Sequence, residues 1–106
     1  MLIMNACTVI APHGDLDIAT VGGFRKALGD AVRDGVGPVV VDLSEVDFVD
    51  SSGLGALMEM YERLRHGDRE LAIVVPPGSA AAVMLNLTGL GPRLPVVESR
   101  EMAFRE

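Results

Sequence analysis

The stretch Val39-Val40-Val41-Asp42-Leu43-Ser44-Glu45-Val46-Asp47-Phe48-Val49-Asp50-Ser51-Ser52-Gly53-Leu54-Gly55 decides the fold. It opens on three consecutive β-branched residues, the pattern of a strand buried on both faces. It closes on a run of Asp, Ser and Gly, residues that start helices. A helical period follows at once. Leu54, Leu57, Met58, Tyr61 and Leu64 fall on one stripe, with Glu59, Glu62 and Arg63 away from it.

Outward from this unit the same alternation continues. Upstream, residues 7–11 are rich in β-formers and read as a strand, and a shorter strand at residues 1–4 is placed to pair with it through Asn5-Ala6. His13-Gly14-Asp15 ends this strand. Val21, Phe24, Leu28, Ala31 and Val32 then recur at helical spacing, with Asp17 as the expected N-cap and Gly35, Gly37 and Pro38 as the stop. Downstream, His66-Gly67-Asp68 closes the second helix, with Gly67 as the expected C′ residue. Residues 71–75 read as another all-apolar strand and residues 79–87 as an Ala-rich helix ended by Thr88-Gly89-Leu90-Gly91-Pro92. A last strand is expected at 94–97 and a short terminal helix at 99–104. Strands alternating with helices imply an α/β fold with a mainly parallel sheet and right-handed crossovers.

The chain has 106 residues, 49% hydrophobic and 23% charged, which is globular composition and one domain's worth of chain, 1–106. Nine Lys and Arg against 15 Asp and Glu leave a net charge of −6. That balance argues against nucleic acid, which needs a basic face, and against an anionic membrane surface. Aromatic residues at 4% provide no stacking platform for single strands. Cys7 is the single cysteine, so no internal disulfide forms, and its place in a strand pattern reads as a small buried hydrophobe. The apolar stretch from residue 71 to 87 is broken by Pro76, Pro77 and Gly78, so it is no membrane span. The expectation is a soluble, cytoplasmic protein.

Catalysis finds little support. The two histidines, His13 and His66, sit in turn-like surface contexts, and Ser51 lacks the Gly-x-Ser-x-Gly elbow of serine hydrolases. No phosphate-cradling Gly-x-x-x-x-Gly-Lys loop occurs. Asp15, Asp17, Asp42, Asp47 and Asp50 have no calcium-loop spacing and read as caps and solubilising charge. The expectation is no enzyme, no metal and no cofactor. What stands out is Asp50-Ser51-Ser52-Gly53. Asp50 or Ser51 caps the second helix, and Ser51 presents an exposed hydroxyl at its positive end. A phosphate there would meet free N–H groups and the helix dipole. Gly53 and Gly55 leave the backbone open to close approach by a partner.

These residues resemble a known family. Asp42-Leu43-Ser44, followed by Val46-Asp47-Phe48-Val49-Asp50-Ser51-Ser52-Gly53-Leu54-Gly55, is similar to the phosphorylation segment of STAS domains, above all the bacterial anti-sigma factor antagonists. Gly14-Asp15-Leu16-Asp17 is similar to the family's turn between a strand and the first helix, and Thr88-Gly89-Leu90 to the turn after its third helix. The resemblance implies a STAS fold: a four- to five-stranded mixed sheet with helices packed on one face and the first two strands antiparallel. It also implies partner switching. An unphosphorylated antagonist binds an anti-sigma factor that is itself a serine kinase with a GHKL-type domain. Phosphorylation of the serine after the Asp, here Ser51, releases it, and a phosphoserine phosphatase resets the switch. On this reading ATP belongs to the partner and Ser51 is a substrate. The alternative within the fold is a STAS adaptor of another assembly, such as a lipid-transport complex or a stress-sensing scaffold. An aspartyl receiver using Asp50 lacks the early acidic pair and the later Thr and Lys such a domain needs. The expected partner surface comprises Asp15, Asp17, Asp50, Ser51, Ser52, Gly53 and Gly55, with Ala56 and Met60 adding apolar contact from off the core stripe.

Overall fold

In the computed structural model, residues 7–35 and 37–104 are described. The order of elements is β1 (Thr8–Ile10), β2 (Gly14–Leu16), α1 (Val21–Asp34), β3 (Val39–Asp42), β4 (Val46–Val49), α2 (Ser51–His66), β5 (Leu71–Val74), α3 (Ala80–Thr88), a 3-10 turn (Gly91–Arg93), β6 (Val96–Val97) and α4 (Arg100–Ala103). Four strands form a sheet in the order β1-β3-β5-β6, and β2 and β4 form a separate ribbon. Among the described residues every pairing is parallel. The antiparallel first pair implied by the resemblance would need residues 1–4, which lie outside the described residues.

The apolar run Val39-Val40-Val41 becomes the buried central strand that its composition demands. Alternation along the strands then sorts the side chains. Registers pair Ile10 with Val41 and Val41 with Ile73, so these share a face with Val39 and Leu71. That face joins one core with Val21, Phe24 and Leu28 of α1, Leu54, Leu57 and Leu64 of α2, and Ala81 and Leu85 of α3. Val40, Asp42 and Val74 point to the other face. Arg100 of α4 hydrogen-bonds the Asp42 carboxylate, so the short α4 lies on that second face while the three longer helices share the first.

Four local expectations change. His13-Gly14-Asp15 does not simply end a strand: Gly14, at φ +77°, turns the chain into β2, which pairs with a segment 32 residues on in β4. Asp17 is not the cap of α1; the capping position is Thr20, and the Asp17 carboxylate accepts from the Ala19 and Thr20 amides in the turn ahead of it. At the end of α2, Gly67 has φ −96° and the left-handed residue is Asp68, at φ 58°, a conformation a short polar side chain tolerates. Cys7 is only partly buried. Among the described residues, no helix is long and apolar enough to cross a membrane.

Candidate functional site at the start of the second helix

The two sequence motifs meet in space. β2 and β4 lie side by side, and the Asp50 amide donates to the Leu16 carbonyl at 3.0 Å, extending the ladder past the end of β4. Asp50 then takes an extended backbone and caps α2. Its Oδ1 accepts from the amides of Ser52 at 2.8 Å and Gly53 at 3.2 Å. Its Oδ2 accepts from the Ile18 amide at 3.2 Å. One carboxylate therefore starts the second helix and ties down the loop that leads to the first.

Gly53 is explained by the same junction. A Cβ there would lie 2.9 Å from the Leu16 carbonyl oxygen, 3.0 Å from the Leu16 Cβ and 3.1 Å from the Val49 Cγ1. Its small size admits the chain's own β2 rather than a partner, which corrects the expectation for this residue. The loop itself is held by Thr20, whose hydroxyl accepts from the Asp17 amide at 3.0 Å and donates to the Asp15 carbonyl at 2.7 Å.

Ser51 is the first residue of α2 and is exposed, and among the described residues no group hydrogen-bonds its hydroxyl. Asp15 and Asp47 are exposed, while Asp17, Asp50, Ser52 and Gly55 are half-buried. The expectation of free N–H groups for a phosphate needs correction, because Asp50 already occupies the Ser52 and Gly53 amides. What remains for an anion is the Ser51 amide, which has no acceptor among the described residues, and the dipole of a 16-residue helix.

Ala56 and Met60 do not lie off the core stripe. Each is 2% exposed and packed in the core. The reason is that α2 is covered by α1 as well as by the sheet, so its buried arc is wider than one stripe. The surface over this seam is a groove lined by Arg25, Leu28, Ala56, Glu59, Met60 and Arg63, with Arg25 of α1 paired to Glu59 of α2.

Asp42, grouped with the acidic residues in the sequence, is remote in role. It is buried on the second sheet face, where burial pushes its carboxyl up. Hydrogen bonds from the Ser44 hydroxyl, Arg100 and the Ser44 amide outweigh that and hold it below the usual carboxylate range. Asp30 on α1 is also lowered, by Lys26 and then Arg33 beside it. Among the described residues no group of three or more His, Cys, Asp or Glu is arranged to hold a metal ion.

Sequence reasoning missed two side chains at this rim. Ile18 is 75% exposed and Phe48 is 46% exposed. The register between β2 and β4 shifts between Gly14 and Asp15, so that Gly14 pairs with Val46 and Asp15 with Phe48. Asp47 is passed over, and both it and Phe48 face outward between buried Val46 and Val49. A strand read by strict alternation would have given Phe48 to the core.

A parallel sheet with three helices on its first face and an exposed serine opening an Asp-capped helix at the rim define a small α/β module. The STAS domain family model matches residues 2–103, and the chain belongs to that family, in the branch of anti-sigma factor antagonists. It is 33% identical over 86 residues to the anti-sigma-F factor antagonist RsfB of Mycobacterium tuberculosis, covering 81% of this chain and 69% of that protein. It is 30% identical over 89 residues to the anti-sigma-B factor antagonist of Staphylococcus aureus, covering 84% and 82%. The crystal structure of an anti-sigma factor antagonist from Mycobacterium paratuberculosis superposes with a TM-score of 0.84 at 30% identity, covering 93% of this chain and 83% of that one.

Proposed function

We propose that this chain, acting as one domain in the cytoplasm, is a non-catalytic anti-sigma factor antagonist whose binding to its target is switched at Ser51. Unphosphorylated, it binds an anti-sigma factor carrying a GHKL-type serine kinase domain; phosphorylated, it lets go, and a phosphoserine phosphatase restores it. The single observation that carries this reading is the Ser51 hydroxyl, exposed and without a protein partner among the described residues, at the start of a helix whose cap is supplied by its neighbour. Because Asp50 rather than Ser51 caps the helix, the hydroxyl is modified without removing the cap.

The energetics separate fold from binding. A phosphate adds about −1.5 to −2 charges at neutral pH. The helix dipole favours it by about 0.3–1 kcal/mol. Asp47 and Asp50 oppose it through solvent, which screens exposed charge. Stability therefore moves little. In a closed interface the same phosphate loses its water beside carboxylates, and an uncompensated buried charge costs about 3–5 kcal/mol. At about 1.4 kcal/mol per tenfold, binding falls by orders of magnitude.

The experiment incubates the chain with a kinase-type anti-sigma factor and ATP, maps the phosphate, and measures melting temperature and affinity for the wild type, the phosphoprotein, Ser51→Ala and Ser51→Asp. The expected result is phosphate on Ser51 with a nearly unchanged melting temperature and lost binding. Ser51→Ala binds permanently, and Ser51→Asp is partly released. Phosphate elsewhere, or a phosphoprotein that binds as tightly as wild type, refutes the reading.

A further inference from the structure

We propose that Ile18 and Phe48 are the apolar anchors with which the Asp50–Ser51 rim grips its partner, and that the partner offers an apolar socket bordered by Lys or Arg side chains. This rests on the antagonist reading and adds to it the chemistry of the surface bound.

Both side chains are held out by rigid backbone. The Ile18 amide is fixed to Asp50 Oδ2, the cap residue beside Ser51, and its loop is closed by Thr20. Its side chain is nonetheless 75% exposed, which leaves apolar area in water that no described residue covers. Phe48 is turned outward by the register shift in β4, beside its ladder partner Asp15 and two residues before Asp50. Bulges of this kind commonly re-aim a side chain next to a functional site. Two pre-positioned apolar groups, one on the loop bound to Asp50 and one two residues before it in β4, lose little entropy on docking, as an anchor requires.

Charge selects the occupant. On the helices the carboxylates carry basic partners: Asp30 has Lys26 and Arg33, Glu59 has Arg25, and Glu62 has Arg65. At the rim, among the described residues, Asp15, Asp17, Asp47 and Asp50 form no ion pair with Lys or Arg. A second copy of this chain docked rim to rim would set these carboxylates against one another. A basic border on a different protein neutralises them; that border pairs with these carboxylates and not with Ser51, so a phosphate on Ser51 enters a closed interface with neither room nor a cation left for it.

The test measures affinity of the wild type, Ile18→Ala, Phe48→Ala and, as a control on the second sheet face, Met102→Ala, at two salt concentrations. The probes are the anti-sigma-F factor of M. tuberculosis and the anti-sigma-B factor of S. aureus, the targets in the relatives' names. Each rim substitution is expected to weaken binding roughly tenfold or more, Met102→Ala to leave it unchanged, and added salt to weaken all. Ile18 is exposed, so Ile18→Ala keeps its melting temperature and any loss is a loss of contact. Wild-type binding that Ile18→Ala and Phe48→Ala retain overturns the anchors and leaves the antagonist reading standing. No wild-type binding to either probe overturns both. Self-association of the wild type that Ile18→Ala abolishes makes a second copy the occupant and overturns the proposal.

Discussion

At the scale of the residue, Gly53 and Asp50 matter in different ways. Asp50 is a hub: two amides of α2 and one amide of the β2–α1 loop converge on its carboxylate. Gly53 is an absence, kept because β2 passes within van der Waals reach of where a side chain would begin. The Leu16 carbonyl and Cβ and the Val49 side chain are all parts of the packed ribbon and core, so a Cβ forces them apart rather than sliding past a flexible tip. Gly53→Ala is therefore expected to destabilise the fold by about 1–3 kcal/mol despite the better helix propensity of alanine. In a domain of this size that lowers the melting temperature by about 4–8 °C per kcal/mol, readable by calorimetry. The same substitution at Gly55, where the nearest group is the Arg25 side chain at 3.9 Å, should be neutral or slightly stabilising. Equal loss at both positions would mean that backbone freedom, not the approach of β2, accounts for Gly53.

At the scale of the element, the ends of the helices are stabilised from outside them. The C-terminal end of α1 leaves carbonyls without intrahelical partners. Arg69, in the connection between α2 and β5, supplies donors to the Ala31 carbonyl at 3.2 Å and the Val32 carbonyl at 3.0 Å, and to the Gly37 carbonyl at 2.8 Å. Its positive charge also suits the negative end of the helix dipole. Gly35 leaves space for this arrangement, since a Cβ there would lie 2.8 Å from the Ala31 carbonyl and 3.3 Å from Arg69 Nη2. Arg69→Ala is expected to cost about 1–3 kcal/mol. Hydrogen exchange should quicken first in the last turn of α1 and at the start of β3, while amides at the start of α2 keep their protection. Loss spread evenly over the molecule would show that Arg69 acts through general packing instead. The α1–α2 seam is the second such case: Ala56 and Met60 are core because another helix lies on them, not because of their own period along α2.

At the scale of the whole molecule, the second sheet face is fastened by one buried carboxylate. Asp42 sits at the C-terminal end of β3 with only 8% of its side chain exposed, and it receives Arg100 from α4 and both donors of Ser44. Its pKa is lowered in the folded chain, with burial opposing and these hydrogen bonds prevailing. A depressed folded pKa means that the carboxylate's stabilisation is complete above its unfolded value, about 3.9, and is lost as pH falls through the lower folded value. Asp42→Asn is therefore expected to be less stable than wild type at neutral pH, with the gap closing below about pH 4. Urea unfolding of the two proteins at pH 7 and at about pH 3 measures this directly. A gap that persists in acid would mean that shape and hydrogen bonding, rather than charge, hold α4 to the sheet. Asp30 titrates in the same sense but is paired only across the surface of its own helix, so the comparison with Asp42→Asn isolates the buried group.

By itself the sequence determined the alternation of strands and helices, the buried run Val39–Val41, the apolar faces of α1 and α2, and the junction of a strand with a serine-bearing helix at Asp50-Ser51. These are readable because periodicity and capping are local: a strand of β-branched residues or an Asp ahead of a helix states its preference within a few positions. Only the tertiary structure decided that Asp50 rather than Ser51 is the cap, that its second oxygen holds the Ile18 amide, that β2 pairs with β4 through a register shift, and that Ala56 and Met60 lie under α1. Each depends on segments far apart in the chain, and no local pattern records which of two neighbouring side chains a distant backbone will meet. The exposure of Ile18 and Phe48 belongs to the same class, for burial is a property of what the rest of the chain covers.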